Sequence, residues 1–533
     1  MQLDVLELEP EVIAYIDEIK TNYEQQIQTL KNDTLEYQNK YLEIKGRYDL
    51  LIYKRFGRSA EQLLTDEKQQ SLFAEDPATI VSSAAEEAQT TAEEEQEELS
   101  EVKSYQRKKP GRKAIDPAIP RDDKVVDIDE DEKTCACGAE LSRIGEETSE
   151  RLHIIKPRIF VERTIRPKYA CRNCEGTEDE EKKTVRIAPV PPSIIPRSIA
   201  SPSLLSTIII QKYEDHLPYY RQEKQFLRIA VTISRQDMCN WQQKIYEKLL
   251  PLFKILHETV KNGPVIQMDE TTVQVIGEED RKDTQKSYMW LLRGGPPGKT
   301  VVMYKYRKTR AAYNAKALLE GYTGYLQTDG YAGYDAALKE LSGIIHVGCF
   351  AHARRKFFEA SKASKKPQSA EQGIKFIRKL YYIESEMRSQ FQDEQEFVDE
   401  RRKHAEPVLN DFKSWLLKRV EEVPPTLLLG KAIQYSLSQW DKMTAYLESP
   451  YLTPDNNACE NAIRPFVLGR KNWLFNQSTD GAESSCGMFS LIETARQNNL
   501  IPMDYLTALF ERAPFAFSTE DWQKLLPWNI FNP

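Results

Sequence analysis

No apolar run in this chain of 533 residues is long enough to cross a bilayer, and its start carries no recognisable secretory leader. A cytoplasmic protein without a membrane partner is therefore expected. Cysteine is scarce, with 8 residues in all, which excludes the dense disulfide framework of a secreted scaffold. An excess of positive charge is missing too. The formal net charge is −8, which on its face disfavours a polyanionic partner. The average hides a segregation: a Glu-, Ala-, Gln- and Ser-rich tract from about Phe73 to Glu101 holds much of the acid, while cations gather in short clusters elsewhere. That tract has too little apolar content to fold and reads as a linker. The length exceeds what one core organises, so several domains are expected.

Four of the cysteines form two close pairs, Cys135-Ala136-Cys137 and Cys171-Arg172-Asn173-Cys174. This grouping suits one tetrahedral structural Zn²⁺ better than a disulfide frame, although free thiols in a small β module would satisfy it as well. Gly138 follows the first pair, Tyr169-Ala170 precedes the second, and strand-like Ile154-Ile155 and Phe160–Ile165 lie between. His153 is left structural, because four cysteines complete the site. The stretch has few helical features and so is not a finger that lays a helix in the major groove, but Arg158, Arg163, Arg166, Lys168 and Arg172 offer phosphate contacts. Cys239, Cys349, Cys459 and Cys486 have no partner spacing and are expected as buried thiols.

Ahead of the cysteine module, Ile27, Leu30, Thr34, Tyr37, Tyr41, Ile44, Tyr48 and Leu51 alternate spacings of three and four, the seam of a coiled coil. Its tyrosines and Thr34 make it weaker than a Leu or Ile zipper, and packing on the protein's own core is the alternative to self-association. After the acidic tract, Arg107-Lys108-Lys109-Pro110-Gly111-Arg112-Lys113 resembles an AT-hook, with Arg112 and Lys113 entering a narrow minor groove; a plain basic linker fits equally.

Further along, Gly263–Val275 runs from turn residues into an apolar strand carrying Asp269 and Glu270. Period two sends these carboxylates to opposite faces, so one faces a site and the other needs solvent or a cation. Gly324–Gly330 is a short strand with Asp329 at its carboxyl end, where open α/β sheets hold ligands. With Ser287–Leu292, Thr300–Tyr306 and Ile344–Phe350, the order becomes three strands, helix, strand, helix, strand, helix, that of a ribonuclease-H-like domain. A third carboxylate, Glu460, lies in a run where Asp455 or Asn456 caps a helix. On that helix Asn457, Glu460 and Arg464 share one stripe, and Cys459, Ile463 and Val467 form the inward apolar one. An i,i+4 Glu–Arg pair alone is an ordinary solvated feature. Three carboxylates that would repel one another make sense with divalent cations between them, and two Mg²⁺ (or Mn²⁺) roughly 3.5–4 Å apart can drive phosphodiester chemistry without a protein nucleophile.

The segments Met268–Thr271, Gln327–Tyr334, Cys349–Ala360 and Asp455–Phe475 make the chain resemble bacterial DDE transposases of the insertion-sequence-sixty-six type along nearly its whole length. The resemblance implies that Asp269, Asp329 and Glu460 are the catalytic, metal-holding triad. His352, Arg354, Arg355 and Lys356, with Arg464, Arg470 and Lys471, fall in family motifs, and their charge assigns them to DNA, where Arg grips phosphate oxygens bidentately. Taken singly, the His352–Phe358 segment is equally an amphipathic surface helix with Phe357 and Phe358 inward.

The expected fold class is multidomain α+β: a coiled-coil helix (1–60), an acidic linker with the basic segment (61–130), a small β-rich zinc module (131–190) and a helical DNA-binding or packing domain (191–262) precede the core. A ribonuclease-H-like α/β catalytic core (263–480) with a helical insertion at about 367–449 and a C-terminal helical tail (481–533) complete it. Expected partners are double-stranded DNA, a second copy of the chain or a higher synaptic oligomer, and small companion proteins encoded by the same element. The expected activity is metal-dependent hydrolysis at element ends followed by strand transfer. A nuclease or resolvase that cuts without joining, and a DNA-binding regulator, are the alternatives.

Overall fold

In the computed structural model the described residues are 10–56, 121–123, 127, 145, 149, 151–152, 159–170, 185–364 and 367–531. Cys135, Cys137, Cys171 and Cys174 lie outside them, as do Arg112 and Lys113. The chain forms two compact units, Thr90–Val190 and the remainder. In the smaller unit, β1 (Lys168–Ala170) pairs antiparallel with β2 (Val185–Ile187), and Arg166 donates to the Ala188 carbonyl at 2.7 Å. The extended stretch expected at Phe160–Ile165 forms no strand; pairing begins only at Lys168.

The larger unit opens with α1 (Pro10–Phe56), a single helix of 47 residues. Four helices follow: α2 (Pro202–Tyr213), α3 (Tyr219–Arg228), α4 (Arg235–Lys248) and α5 (Leu250–Lys261). The start of α4 is set by a capping box in which Ser234 Oγ accepts from the Asp237 amide at 3.1 Å while Asp237 reaches back to Ser234. Hydrogen bonds fasten this helical block to a distant part of the chain. Tyr213 and Tyr219 both donate to Gln242 Oε1 at 2.6 Å, and Gln242 donates to Ser484 at 2.7 Å. Trp241 and Gln242 of α4, within the block expected to bind DNA or to pack, are buried and serve packing.

The sheet has the order β5-β4-β3-β6-β7, built from β3 (Val265–Gln274), β4 (Lys286–Gly294), β5 (Val301–Arg307), β6 (Gly324–Gln327) and β7 (Ile344–Val347). The first three form an antiparallel meander, and β6 and β7 run parallel to β3. Parallel strands need crossovers, which α6 (Ala312–Leu319) and α7 (Ala332–Leu338) provide. Met289, Trp290, Leu291 and Leu292 are successive and all buried, so β4 is covered on both faces.

After β7, α8 (Phe350–Lys362) leads into a helical insertion of α9 (Gln368–Gln390), α10 (Glu394–Glu422), α11 (Leu428–Ser438) and α12 (Trp440–Thr444), with a separate apolar core around Phe357, Phe412 and Ile433. The chain then returns to the sheet as α13 (Asn457–Trp473) and α14 (Thr479–Gln497), followed by α15 (Pro502–Arg512) and α16 (Thr519–Lys524). The buried stripe of α13 runs through Cys459, Ala462, Ile463 and Phe466, with Val467 only half-buried, because 3.6 residues per turn carry the contact line past Val467. Among the four cysteines without partner spacing, Cys349, Cys459 and Cys486 are buried as expected, but Cys239, on α4, is exposed.

Candidate active site

Asp269 sits in the middle of β3, opposite Leu291 of β4, and its Oδ1 accepts from the Glu270 amide at 2.8 Å. Burial pushes its carboxyl well above the usual range, and repulsion from Glu270, Glu460 and Asp329 adds to the shift. The helix that bears Glu460 is tied to this strand through the Met268 carbonyl, beside Asp269. Asp329 follows β6 directly and accepts from the Tyr331 amide at 3.0 Å. Gly330 beside it is required by a close approach: a Cβ there would lie 2.7 Å from the Tyr435 ring of α11.

Glu460 lies in the first turn of α13, and its position is fixed by ties on both sides of the insertion. Asn456 donates to the Met268 carbonyl at 3.0 Å, its amide meets Cys349 Sγ at 3.3 Å, and Phe350 N donates to the Pro454 carbonyl at 2.9 Å. Asp455, not Asn456, caps the helix, accepting from the Asn457 amide at 3.0 Å; burial pushes its carboxyl up to about 6. The preceding turn is held by Arg401, fully buried in α10, which donates to the carbonyls of Ser449 and Leu452 at 2.9 and 3.1 Å.

Glu460 Oε2 pairs with Arg355 of α8 at 3.2 Å. Its Oε1 is buried without a hydrogen bond, 3.7 Å from Nε2 of His352. Burial pushes the His352 ring below its usual range, with Arg355 and Lys356 acting in the same direction and Glu460 against it. Among the described residues, Cys349, His352 and Glu460 present ligand-type atoms within 4.8 Å of one another. Half-buried carboxylates, one of them with an enclosed and unpartnered oxygen, are a donor set that fits a divalent cation.

The second carboxylate of the strand has a cation of its own. Glu270, only 1 % exposed, pairs with Arg310 and accepts from the Tyr334 hydroxyl; burial nevertheless raises its carboxyl. Arg310 also lies 3.7 Å from Asp329 Oδ2 and stacks 3.7 Å from the Tyr331 ring centroid. Sequence reading missed Arg310, because a lone cation after β5 looks like any loop residue. Missed as well is a relay under Asp329: Thr328 Oγ1 is 2.8 Å from His346 Nε2, His346 Nδ1 is 2.9 Å from Asp335, and Lys442 meets Asp335 at 2.7 Å.

The other cations divide. Arg354 and Lys356 are half-buried on α8, with Lys356 4.9 Å over the Tyr435 ring. Arg464 is half-buried on α13 and Lys471 is exposed near its end. Arg470 turns inward, its guanidinium meeting the Thr272 carbonyl and the hydroxyls of Thr271 and Thr272, so it ties α13 to β3.

A family model described as the transposase IS66 family matches residues 197–484, which include all three carboxylates. The chain belongs to that family. Three further models of the same transposases flank this match: the zinc-finger binding domain at 132–175, the IS66 C-terminal element at 490–528, and a region described as transposase C of IS166 homeodomain at 43–123. The IS66 zinc-finger match spans all four paired cysteines. Similar proteins include the uncharacterized protein y4jD of Sinorhizobium fredii, 31% identical over 422 residues, covering 77% of this chain and 80% of that one. The uncharacterized protein y4qI of the same organism is 31% identical over 453 residues, with 81% of each chain covered. Membership implies that the IS66-type chain acts on DNA and uses zinc and a divalent metal. No helix among the described residues is long and apolar enough to cross a membrane.

Proposed function

We propose that this IS66-family chain is a DNA transposase whose Asp269, Asp329 and Glu460 hold the metal ions for cutting and joining. The observation that carries the reading is the placement of the three acids: Asp269 on β3, Asp329 just past the parallel neighbour β6, and Glu460 in the first turn of the helix that Asn456 ties to Met268 of β3, with Asp269 raised by burial and by the other acids. The strand order β5-β4-β3-β6-β7, with carboxylates on the first and fourth strands and on a later helix, supports a ribonuclease-H-like core. In the first step water attacks phosphorus at the element end, and the bond to the 3′ oxygen breaks, leaving a 3′-hydroxyl. In the second that hydroxyl attacks a target phosphodiester and displaces its 3′ oxygen.

Two Mg²⁺ or Mn²⁺ ions, when bound, supply activation of the attacking oxygen and stabilisation of the leaving one. The chain's residues supply the geometry. Arg355 orients Glu460, Arg310 neutralises Glu270 beside Asp329, and Lys356, Arg354, Arg464 and Lys471 offer positive charge for the backbone of double-stranded DNA. Cys135, Cys137, Cys171 and Cys174 are proposed as ligands of one structural Zn²⁺, four soft donors suited to a closed tetrahedral site. A second copy of the chain is proposed to join through α1, since synapsis requires two ends in one assembly.

The test is cleavage and joining of labelled element-end DNA in Mg²⁺ by wild type beside Asp269→Asn, Asp329→Asn and Glu460→Gln, with DNA binding measured in parallel. Loss of chemistry by at least 10³-fold with binding kept is the expected outcome, at roughly the scale seen when a catalytic group is removed. Cutting without joining would select a nuclease, and active triad variants would overturn the assignment.

A further inference from the structure

His352 has no satisfactory role as an ordinary side chain. Its Nδ1 is buried with no hydrogen-bond partner, and its Nε2 faces Glu460 Oε1 at 3.7 Å, beyond hydrogen-bond reach. Glu460 Oε1 is itself buried and unpartnered, while the other oxygen is taken by Arg355. Glu460 Oε1, enclosed and unpartnered, therefore faces the Nε2 of a side chain that is 22 % exposed, with no hydrogen bond joining the two. Donors about 2.1 Å from one shared ion stand roughly 3.0–3.5 Å apart, depending on whether the angle at the ion is square or tetrahedral. A side-chain movement of a few tenths of an ångström closes the observed separation to that range.

We infer that His352 Nε2 is a metal ligand that shares with Glu460 one of the catalytic cations, so that this cation position carries an imidazole nitrogen as well as carboxylate oxygens. The inference rests on the triad reading above. It assigns to His352 a role different from the phosphate contact that its charged neighbours Arg354, Arg355 and Lys356 suggest. The backbone arrangement suits it: His352 projects from the first turn of α8, and that helix start is tied through Phe350 N to Pro454 and through Cys349 Sγ to Asn456, so the two ligands are borne by helix starts fastened to each other. Cys349 is the third group within reach, but its thiol is fully enclosed and already engaged by the Asn456 amide, which leaves it as a tie between the helices. A nitrogen ligand shifts preference away from Mg²⁺, which favours oxygen donors and waters, toward Mn²⁺ and later first-row ions.

Manganese titration of the full chain, purified without a histidine tag and with zinc retained, tests this directly. Continuous-wave electron paramagnetic resonance gives the affinity, and pulsed measurements report nitrogen bonded to the ion. Wild type is expected to show a directly coordinated nitrogen. His352→Gln is expected to lose that signal and to bind Mn²⁺ at least tenfold more weakly, with its thermal unfolding unchanged. His352→Asp is expected to bind Mn²⁺ again without the nitrogen signal, and to narrow the preference for Mn²⁺ over Mg²⁺. If Mn²⁺ binds, Asp269→Asn and Glu460→Gln abolish binding, and yet wild type shows no nitrogen, the histidine assignment is overturned and the carboxylate triad stands. If His352→Gln weakens only DNA binding, the side chain is a phosphate contact. If wild type binds no Mn²⁺ outside the zinc module, both readings fall.

Discussion

The carboxylates of β3 divide their labour by neutralisation. Asp269 has no ion-pair partner among the described residues and is raised by burial and by three like charges, whereas its neighbour Glu270 is matched by Arg310 and by the Tyr334 hydroxyl. Removing Arg310 strands a carboxylate that is 1 % exposed. Arg310→Ala is therefore expected to destabilise the protein by about 2–4 kcal/mol, below the roughly 3–5 for a fully buried pair because the Arg310 side chain is 38 % exposed, and the double variant with Glu270→Gln to recover part of that loss in chemical denaturation. Additive losses would show that the two groups do not act as a pair.

His257 of α5 offers a second check at this scale, since burial and the cations Lys305, Lys261 and Arg307 push its ring down to about 4. Its folded value lies below the unfolded one. The stability it contributes is thus complete above about pH 6.5 and drains away as the pH falls toward 4, by up to roughly 3 kcal/mol. His257→Gln should flatten that part of the stability–pH curve relative to wild type. An unchanged difference between pH 7 and pH 4 would remove His257 from the account.

Among elements, α14 does work that its sequence conceals. The strand β5 is a sheet edge, and edges invite pairing with other chains. Here the hydroxyls of α14 close it: Tyr304 N donates to Ser490 Oγ at 2.9 Å, Val302 N donates to Thr494 Oγ1 at 3.1 Å, and Thr494 donates back to the Val302 carbonyl. Thr494→Val keeps the shape and leaves buried backbone groups unmatched, so a loss of about 1–3 kcal/mol is expected, with more aggregation on heating. Equal melting temperature and light scattering for the two proteins would refute it.

Most strands of the main sheet were legible to within a residue or two, because apolar runs between turn residues have few other interpretations: Ser287–Leu292 is observed as Lys286–Gly294, whereas Ile344–Phe350 stops at Val347 because α8 begins at Phe350, and Phe160–Ile165 forms none. The motifs named Asp269, Asp329 and Glu460 as the acids to test. What could not be read was whatever depends on a distant partner: hydroxyls on α14 that serve β5, Arg310 reaching from a loop to Glu270, Arg470 turned to β3, and Cys239 left exposed where a small apolar side chain would have been buried.

For the whole molecule, α1 is the element whose surface exceeds its own needs. Its end is seated on the larger unit, with Glu43 paired to Lys431 at 3.2 Å and Tyr53 edge-on to Phe358 of α8. Its seam is not: Ile27, Leu30, Tyr37, Tyr41, Ile44, Tyr48 and Leu51 are each at least half exposed, along about 36 Å of helix. Packing on the protein's own core accounts for the end of the helix and leaves the seam open. Replacing Leu30, Tyr37 and Ile44 together by Lys should turn an associated chain into a monomer in analytical ultracentrifugation while leaving the melting temperature of the remainder unchanged. A monomeric wild type would end the seam's role in self-association.

The long excursion through α9–α12 also sets a timetable. Asp269 and Asp329 leave the ribosome with the sheet, but Glu460 follows roughly 130 residues later, on the order of 10 s at ordinary synthesis rates, and Asn456 can grip Met268 only after the insertion has doubled back. A half-made chain thus carries its acids apart. On the proposed reading, the capacity to cut arrives late in each molecule's birth, when α14 is about to seal the sheet.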